Sequence, residues 1–261
     1  MKFRPCIDLH NGKVKQIVGS TLTDSPGSLK TNFTSEFSSS HYAQMYRRDN
    51  LYGGHVIMLG PGNEAAAREA FQAFPQGMHA GGGITPENAG YWLDQGAAAV
   101  IVTSYVFKEG QILEERLKEM VSLAGKDKLV LDLSCRKKGD SYYVVTDRWQ
   151  KFTTSKISPQ TLDYFSQFCF EFLIHAADVE GKCQGIAEDL VVNLAAWSQL
   201  PTTYAGGVRD LNDFKRIEEL GKGRLDVTVG SSLDIFGGSG MKYNDAVAFS
   251  HRGGDSSELK L

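Results

Sequence analysis

The chain has 261 residues, enough for one sizeable hydrophobic core and close to the length of a complete barrel of alternating strands and helices. Its net charge is −3 and it holds no basic block of the kind that tracks nucleic-acid phosphates, so an anion must be recognised locally, by a few amides and cations. No apolar run approaches the length of a membrane-spanning helix.

In chain order, short apolar and β-branched runs predict strands at Phe3–Asp8, His55–Leu59, Met78–Gly81, Val100–Thr103, Leu129–Asp132, Phe172–His175, Thr202–Tyr204 and Asp226–Val229. Between them, helical periodicity is clearest at Asn63–Phe74, Pro86–Gln95, Gln111–Leu123, Glu188–Ser198 and Leu211–Leu220. Strands alternating with helices argue for a parallel sheet, and eight of them in this length favour closure into a (β/α)8 TIM barrel. Two insertions interrupt the pattern. The Ser/Thr-rich stretch Ser20–Ser40, followed by a short helix near His41–Arg48, lies after a strand's carboxyl end, where it is expected to act as a lid. Ser134–Asp147 reads as a hairpin turning at Lys137-Lys138-Gly139-Asp140. A single domain is expected over residues 1–250, in half-barrels of about 1–125 and 126–250, with a polar tail at His251–Leu261.

The halves repeat. Ile7-Asp8-Leu9 ends the first strand and Leu131-Asp132-Leu133 the fifth; Gly82-Gly83-Ile84 closes the third and Gly206-Gly207-Val208 the seventh, at the same interval. Val102-Thr103-Ser104 and Val229-Gly230-Ser231 are paired at an interval only slightly longer. Consecutive glycines let a backbone aim its amides at an anion, and the helix that follows each pair is expected to add free N–H groups. Thr103-Ser104 and Gly230-Ser231 would supply hydroxyls and amides from the neighbouring strands. Two phosphate sites facing each other across a barrel mouth imply a small-molecule ligand with a phosphate at each end.

Asp8 and Asp132 end opposite strands within apolar runs, and a carboxyl in such surroundings tends toward a raised pKa suited to acid or base work. Six histidines show no HxH or HExxH spacing, so no metal site is expected; His175 ends the sixth strand and is placed to face a ligand. Four cysteines lack CxxC spacing and read as free thiols; Cys135 has no identified base partner and is not read as a nucleophile. Trp92, Trp149 and Trp197 read as packing residues, with Trp149 placed to reach the mouth from the hairpin. With a strand at Phe3–Leu9, a cytoplasmic location is the expectation; a monomer is compatible with all of this.

The segment Cys6-Ile7-Asp8-Leu9-His10-Asn11-Gly12-Lys13-Val14 resembles the opening motif of the phosphoribosylformimino-AICAR-ribotide isomerases of histidine biosynthesis. Ala80-Gly81-Gly82-Gly83-Ile84, Leu131-Asp132-Leu133, Tyr204-Ala205-Gly206-Gly207-Val208 and Val229-Gly230-Ser231-Ser232 extend the match over nearly the whole chain, and Leu129–Arg136 and His175–Gly185 look like the eukaryotic type. The resemblance implies a TIM barrel catalysing an Amadori rearrangement of a substrate phosphorylated at both ends, without metal or cofactor. It assigns Asp8 as the base that takes the proton from C2′ of the Schiff base. For the acid that protonates the ring oxygen it leaves Asp132, Glu180 and Asp178 open, because His175 and Glu180-Gly181 stand where bacterial members carry Thr and Asp-Gly. Two alternatives remain: the cyclase subunit of imidazole glycerol phosphate synthase, which usually reads Leu-Asp-Val at the opening, and a non-catalytic barrel that binds a sugar bisphosphate.

Overall fold

A computed structural model describes residues 1–17, 31–147 and 149–252. Among these, eight parallel strands alternate with eight helices: β1 (Cys6–His10), α1 (Ser39–Arg48), β2 (Gly54–Met58), α2 (Glu64–Ala73), β3 (Met78–Gly81), α3 (Pro86–Asp94), β4 (Ala99–Val102), α4 (Glu114–Ala124), β5 (Leu129–Asp132), α5 (Pro159–Ser166), β6 (Glu171–His175), α6 (Glu188–Trp197), β7 (Thr202–Ala205), α7 (Leu211–Leu220), β8 (Asp226–Thr228) and α8 (Tyr243–His251). Each strand pairs in parallel with the next. The ring closes where Phe3 bridges Val227, with Arg4 N donating to Val227 O at 2.8 Å and Val227 N to Lys2 O at 3.0 Å. The chain is therefore a (β/α)8 barrel.

Side-chain alternation along the strands builds two cores from one set of residues. Ile7, Leu9, Val56, Val100, Val102, Leu131, Phe172 and Ile174 point outward and join the large core under the helices. Ala99, Ile101, Val130 and Leu173, with Ile57 and Phe170, point inward and fill the barrel as a separate cluster. This double burial is why the strands read as continuous apolar runs. Helix ends follow local chemistry: Ser38 and Ser158 accept hydrogen bonds from His41 N and Thr161 N, and Pro159 opens α5, where its missing N–H costs nothing.

Several elements depart from the expected ones. Helix α4 begins at Glu114, because Gln111–Ile112 pairs with Phe107–Lys108 in a two-stranded ribbon. Beyond β1 the chain turns at Asn11-Gly12, both at positive φ, into an antiparallel strand Lys13–Ile17 that pairs with Thr31–Thr34. Asn-Gly between two such runs is a strong hairpin signal that the pattern of barrel strands masked. The expected lid therefore includes a strand and the first residues of α1, while residues 20–30 of it lie outside the described residues. The hairpin after β5 gains a third strand, giving Cys135–Lys138, Ser141–Thr146 and Lys151–Lys156. Helices α5 and α8 were not anticipated; the latter buries only Tyr243, Ala246 and Phe249, a thin apolar stripe. Of the expected tail, His251 ends α8 and Arg252 follows it; residues 253–261 lie outside the described residues.

Candidate active site

The ends of β1 to β6 and the loops after them line a cavity of about 480 Å³. Gly82, Gly83, Thr103 and Ser104 line it on the β3–β4 side, and Asp8, Asp132, His175 and Glu180 form its floor. A smaller cavity of about 50 Å³ carries Gly206, Gly207, Gly230 and Ser231 on the β7–β8 side. Asp8, Gln16, His175 and Glu180 line both, so the two glycine pairs face one set of ionisable groups from opposite sides. Every candidate site residue read from the sequence except Asp178 thus borders one of two adjoining cavities.

The glycine loops adopt conformations that a side chain would resist. Gly82, Gly83, Gly206 and Gly207 have φ of +89°, +69°, +122° and +76°. A Cβ on Gly82 would run into the Met58 backbone, and one on Gly207 into the Gly185 carbonyl; at Gly83 nothing lies within 4 Å. The helix after the second pair does not offer the free amides expected of it. Asp210 caps α7 by accepting from Asn212 N at 2.8 Å and Asp213 N at 3.2 Å, and Asp213 holds Arg209 through Oδ1 at 2.7 Å. After the first pair, Asn88 Oδ1 accepts from Thr85 N at 2.9 Å, and Asn88 Nδ2 donates to Gly83 O at 2.9 Å. What remains for an anion is the loop amides and strand-end hydroxyls.

The two aspartates, equivalent in sequence, differ in chemistry. Burial pushes the Asp8 carboxyl up to about 7, the nearby Glu180 adds to the rise, and His175 offsets part of it. Burial also acts on Asp132, yet the His175 charge and the hydrogen bonds from Ser134 hold it below the usual carboxylate range. Ser134 donates to Asp132 Oδ1 from N at 2.8 Å and from Oγ at 2.7 Å, and His175 Nδ1 lies 3.5 Å from the same oxygen. A raised pKa was expected of both; at Asp132 the local partners win. His175 moves the other way: burial alone would lower it, but Asp132 above all, then Glu180 and Asp8, lift it to about 9.

Glu180, in the loop after β6, is raised by burial, with His175 opposing and Asp132 adding to the rise. Its Oε2 is buried with no hydrogen-bond partner among the described residues. Asp178, by contrast, lines neither cavity; it accepts from Arg136 Nε and Lys137 N, both at 2.8 Å. Cys135 is fully buried and its thiol is driven above the usual range by desolvation, so it is no nucleophile. Trp149 lines the larger cavity with its ring 5.7 Å from that of His175, whereas Trp92 packs against Phe71 and Tyr91.

Two residues went unread in the sequence. Gln16 is buried at the β8 end, where a Cβ on Gly230 would strike its amide and Ser231 Oγ donates to its Oε1 at 3.4 Å. Asn32 Nδ2 donates to Ser231 Oγ at 3.4 Å and to Gly181 O at 3.3 Å, tying the strand Thr31–Thr34 to the mouth. Both arrive through the Asn11-Gly12 hairpin, the signal that would have found them. Among the described residues no group of three or more His, Cys, Asp or Glu is arranged to hold a metal ion, and no helix is long and apolar enough to cross a membrane.

Fold and mouth define a (β/α)8-barrel enzyme with opposed carboxyls at its carboxyl-terminal face. The chain belongs to the histidine biosynthesis protein family, whose model matches residues 2–237. It is 52% identical over 255 residues to a chloroplastic relative from Medicago truncatula, covering 95% of this chain and 81% of the relative. It is 47% identical over 260 residues to a relative from Saccharomyces cerevisiae (97% and 99% covered) and 46% over 254 residues to one from Neurospora crassa (96% and 99%). All three are named 1-(5-phosphoribosyl)-5-((5-phosphoribosylamino)methylideneamino)imidazole-4-carboxamide isomerase.

Proposed function

We propose that this isomerase of histidine biosynthesis converts the N-linked phosphoribosylformimino aminoimidazole carboxamide ribotide into its phosphoribulosyl isomer, with Asp8 as base and Glu180 as acid. The observation that carries the reading is the position of these two carboxyls, both raised in pKa, between two glycine-lined loops. A substrate with a phosphate at each end spans Gly82, Gly83, Thr103 and Ser104 on one side and Gly206, Gly207, Gly230 and Ser231 on the other. Protonated Glu180 gives its proton to the furanose oxygen; the C1′–O bond breaks as the nitrogen lone pair forms the Schiff base. Ionised Asp8 removes the C2′ proton to give the enaminol, which gains a proton at C1′ and loses the one on its C2′ hydroxyl, leaving the ketone. Acid and base help of this kind supplies ~10²–10⁴-fold per group.

Glu180 is chosen over the rival acids on partners: Asp132 is already committed as an anion to Ser134 and His175, and Asp178 to Arg136. Trp149 forms the aromatic wall for the imidazole, and Gln16 and Asn32 brace the β7–β8 loop. Residues 1–250 act as one barrel of two halves, working as a monomer on a small bisphosphate, with no role for nucleic acid. The four unpaired cysteines suit a reducing compartment, which we take to be the cytoplasm. Turnover of the aminoaldose ribotide by the purified chain, without ammonia, tests the reading. Ammonia-dependent imidazole formation would point to the cyclase instead, and tight bisphosphate binding without turnover to a silent barrel.

A further inference from the structure

An acid and a base of the same chemical type, close together and largely withdrawn from water, pose a difficulty. Asp8 and Glu180 each gain their raised affinity for protons from burial, and Glu180 raises Asp8 further, so the site works against ionising either carboxyl. A base must be ionised to act. Something has to admit one negative charge and only one.

The cavity linings hold few basic groups. Neither lining contains a lysine or an arginine among the described residues. Two imidazoles are present, and burial drives that of His55 down to about 3, so it is neutral. His175 is left as the one basic side chain of these linings that holds a proton at neutral pH. Its placement is built rather than incidental. Asp132 is pinned by two hydrogen bonds from Ser134 and presents Oδ1 to His175 Nδ1. The ring is bracketed by His55, edge-on with centroids 6.3 Å apart, and by Trp149 at 5.7 Å. Nδ1 has its partner in Asp132, and the ring borders both cavities with the side chain 13% exposed.

We propose that His175, anchored by Asp132, is the shared counter-ion of the active-site carboxyls: a positioning residue that keeps Asp8 ionised while Glu180 holds the proton. The groups facing it are Asp8 from β1, His55 from β2, Asp132 from β5 and Glu180 from the loop after β6. Cys6 and Tyr204 lie beyond, raised by burial and neutral, and Asp147 at the rim is paired with Lys151 at 2.9 Å. The net balance is three carboxyls against one imidazolium, with Asp132 spent on the anchor. The Asp132–His175 pair is neutral by itself, so ionising Asp8 leaves one net negative charge around the imidazolium and ionising Glu180 as well would leave two, with no second charged cation among the described lining residues. This also explains why Asp8 and Asp132, equivalent by repeat, diverge: His175 has no counterpart in the first half, where Met58 or Leu59 ends the corresponding strand.

The inference rests on the assignment of Asp8 and Glu180 above, and it is tested by two readouts that fail separately. Nuclear magnetic resonance of the imidazole carbons in the free wild-type protein, assigned by loss of a signal in His175→Gln, should show His175 charged through pH 8 and titrating near 9. A neutral ring at pH 7.5 overturns the proposal whether or not the enzyme turns over. In Asp132→Asn the same signal should titrate at lower pH; an unmoved titration overturns the anchor. The second readout is the pH dependence of kcat/KM for the aminoaldose ribotide. His175→Gln should move the acidic limb upward by about one pH unit or more, as expected when an opposite charge beside a carboxyl is removed, with part of the lost rate regained at higher pH. Its KM should change little. A uniform fall in rate with the limb unmoved would mark His175 as merely structural.

Discussion

Replacing Asp8 by Asn separates the catalytic from the structural consequences of one carboxyl. The side chain keeps its shape and loses its charge, and neighbouring Asp132 is held by Ser134 independently of it. Loss of a general base costs ~10²–10⁴-fold in kcat, roughly 3–5 kcal/mol of transition-state stabilisation. Stability should move oppositely. The Asp8 carboxyl is lifted from an ordinary 3.8 to about 7, so the folded chain binds this proton more tightly than the unfolded one. Its contribution to stability therefore falls as pH rises from about 4 to about 7, and above 7 its full cost, at most roughly 4 kcal/mol, is felt. Asn carries no such cost. At pH 8 the variant should be more stable than wild type, by about 1–3 kcal/mol once solvent at the cavity mouth is allowed for, and the gap should close toward pH 4. Single-turnover assays, calorimetric titration with a bisphosphate and denaturant unfolding at pH 4 and 8 measure the three quantities. Near-normal turnover would refute the base, and a variant less stable at pH 8 would refute the charge strain.

Glu180→Gln should reduce kcat by about 10²-fold or more, while Asp178→Asn should leave it within a few-fold and cost at most about 1 kcal/mol of stability, since the Arg136 pair is solvent-exposed; the reverse ranking in steady-state assays would move the acid to Asp178. Gly82→Ala should lower stability by about 1–3 kcal/mol in denaturant titrations, because φ is +89° and the new Cβ meets the Met58 backbone. Gly83→Ala has open space around the same atom and should lose only the roughly 1–2 kcal/mol of its positive φ, yet weaken bisphosphate binding about tenfold or more by obstructing the loop amides. Equal affinity in Gly83→Ala and wild type would remove that loop from the anion site.

The barrel was legible because parallel strands covered on both faces must be apolar throughout, and Val100–Val102 or Leu129–Leu131 announce that condition directly. The repeat of Asp8 with Asp132 and of the glycine pairs placed the mouth as well. What stayed hidden had weaker or competing signals. Helix α8 offers three buried residues, and the Asn11-Gly12 turn sits inside a motif that reads as the end of a barrel strand. The chemistry of Asp132 was out of reach for a different reason. A repeat predicts equivalent positions, but a pKa depends on how neighbours are turned by the fold, here the adjacent Ser134 and a histidine 43 residues downstream. Asp178 and Glu180 could not be ranked from the chain alone, since only the fold turns one toward Arg136 and the other into the cavity.

A crystal structure of Asp8→Asn soaked with the unreacted aminoaldose ribotide tests the central claim most directly. One ligand is expected, with a phosphate against Gly82, Gly83 and Ser104, the other against Gly207, Gly230 and Ser231, and sugar C2′ in contact with the side chain at position 8. A ligand held by one glycine loop only, or with its C2′ turned away from that side chain, would contradict it.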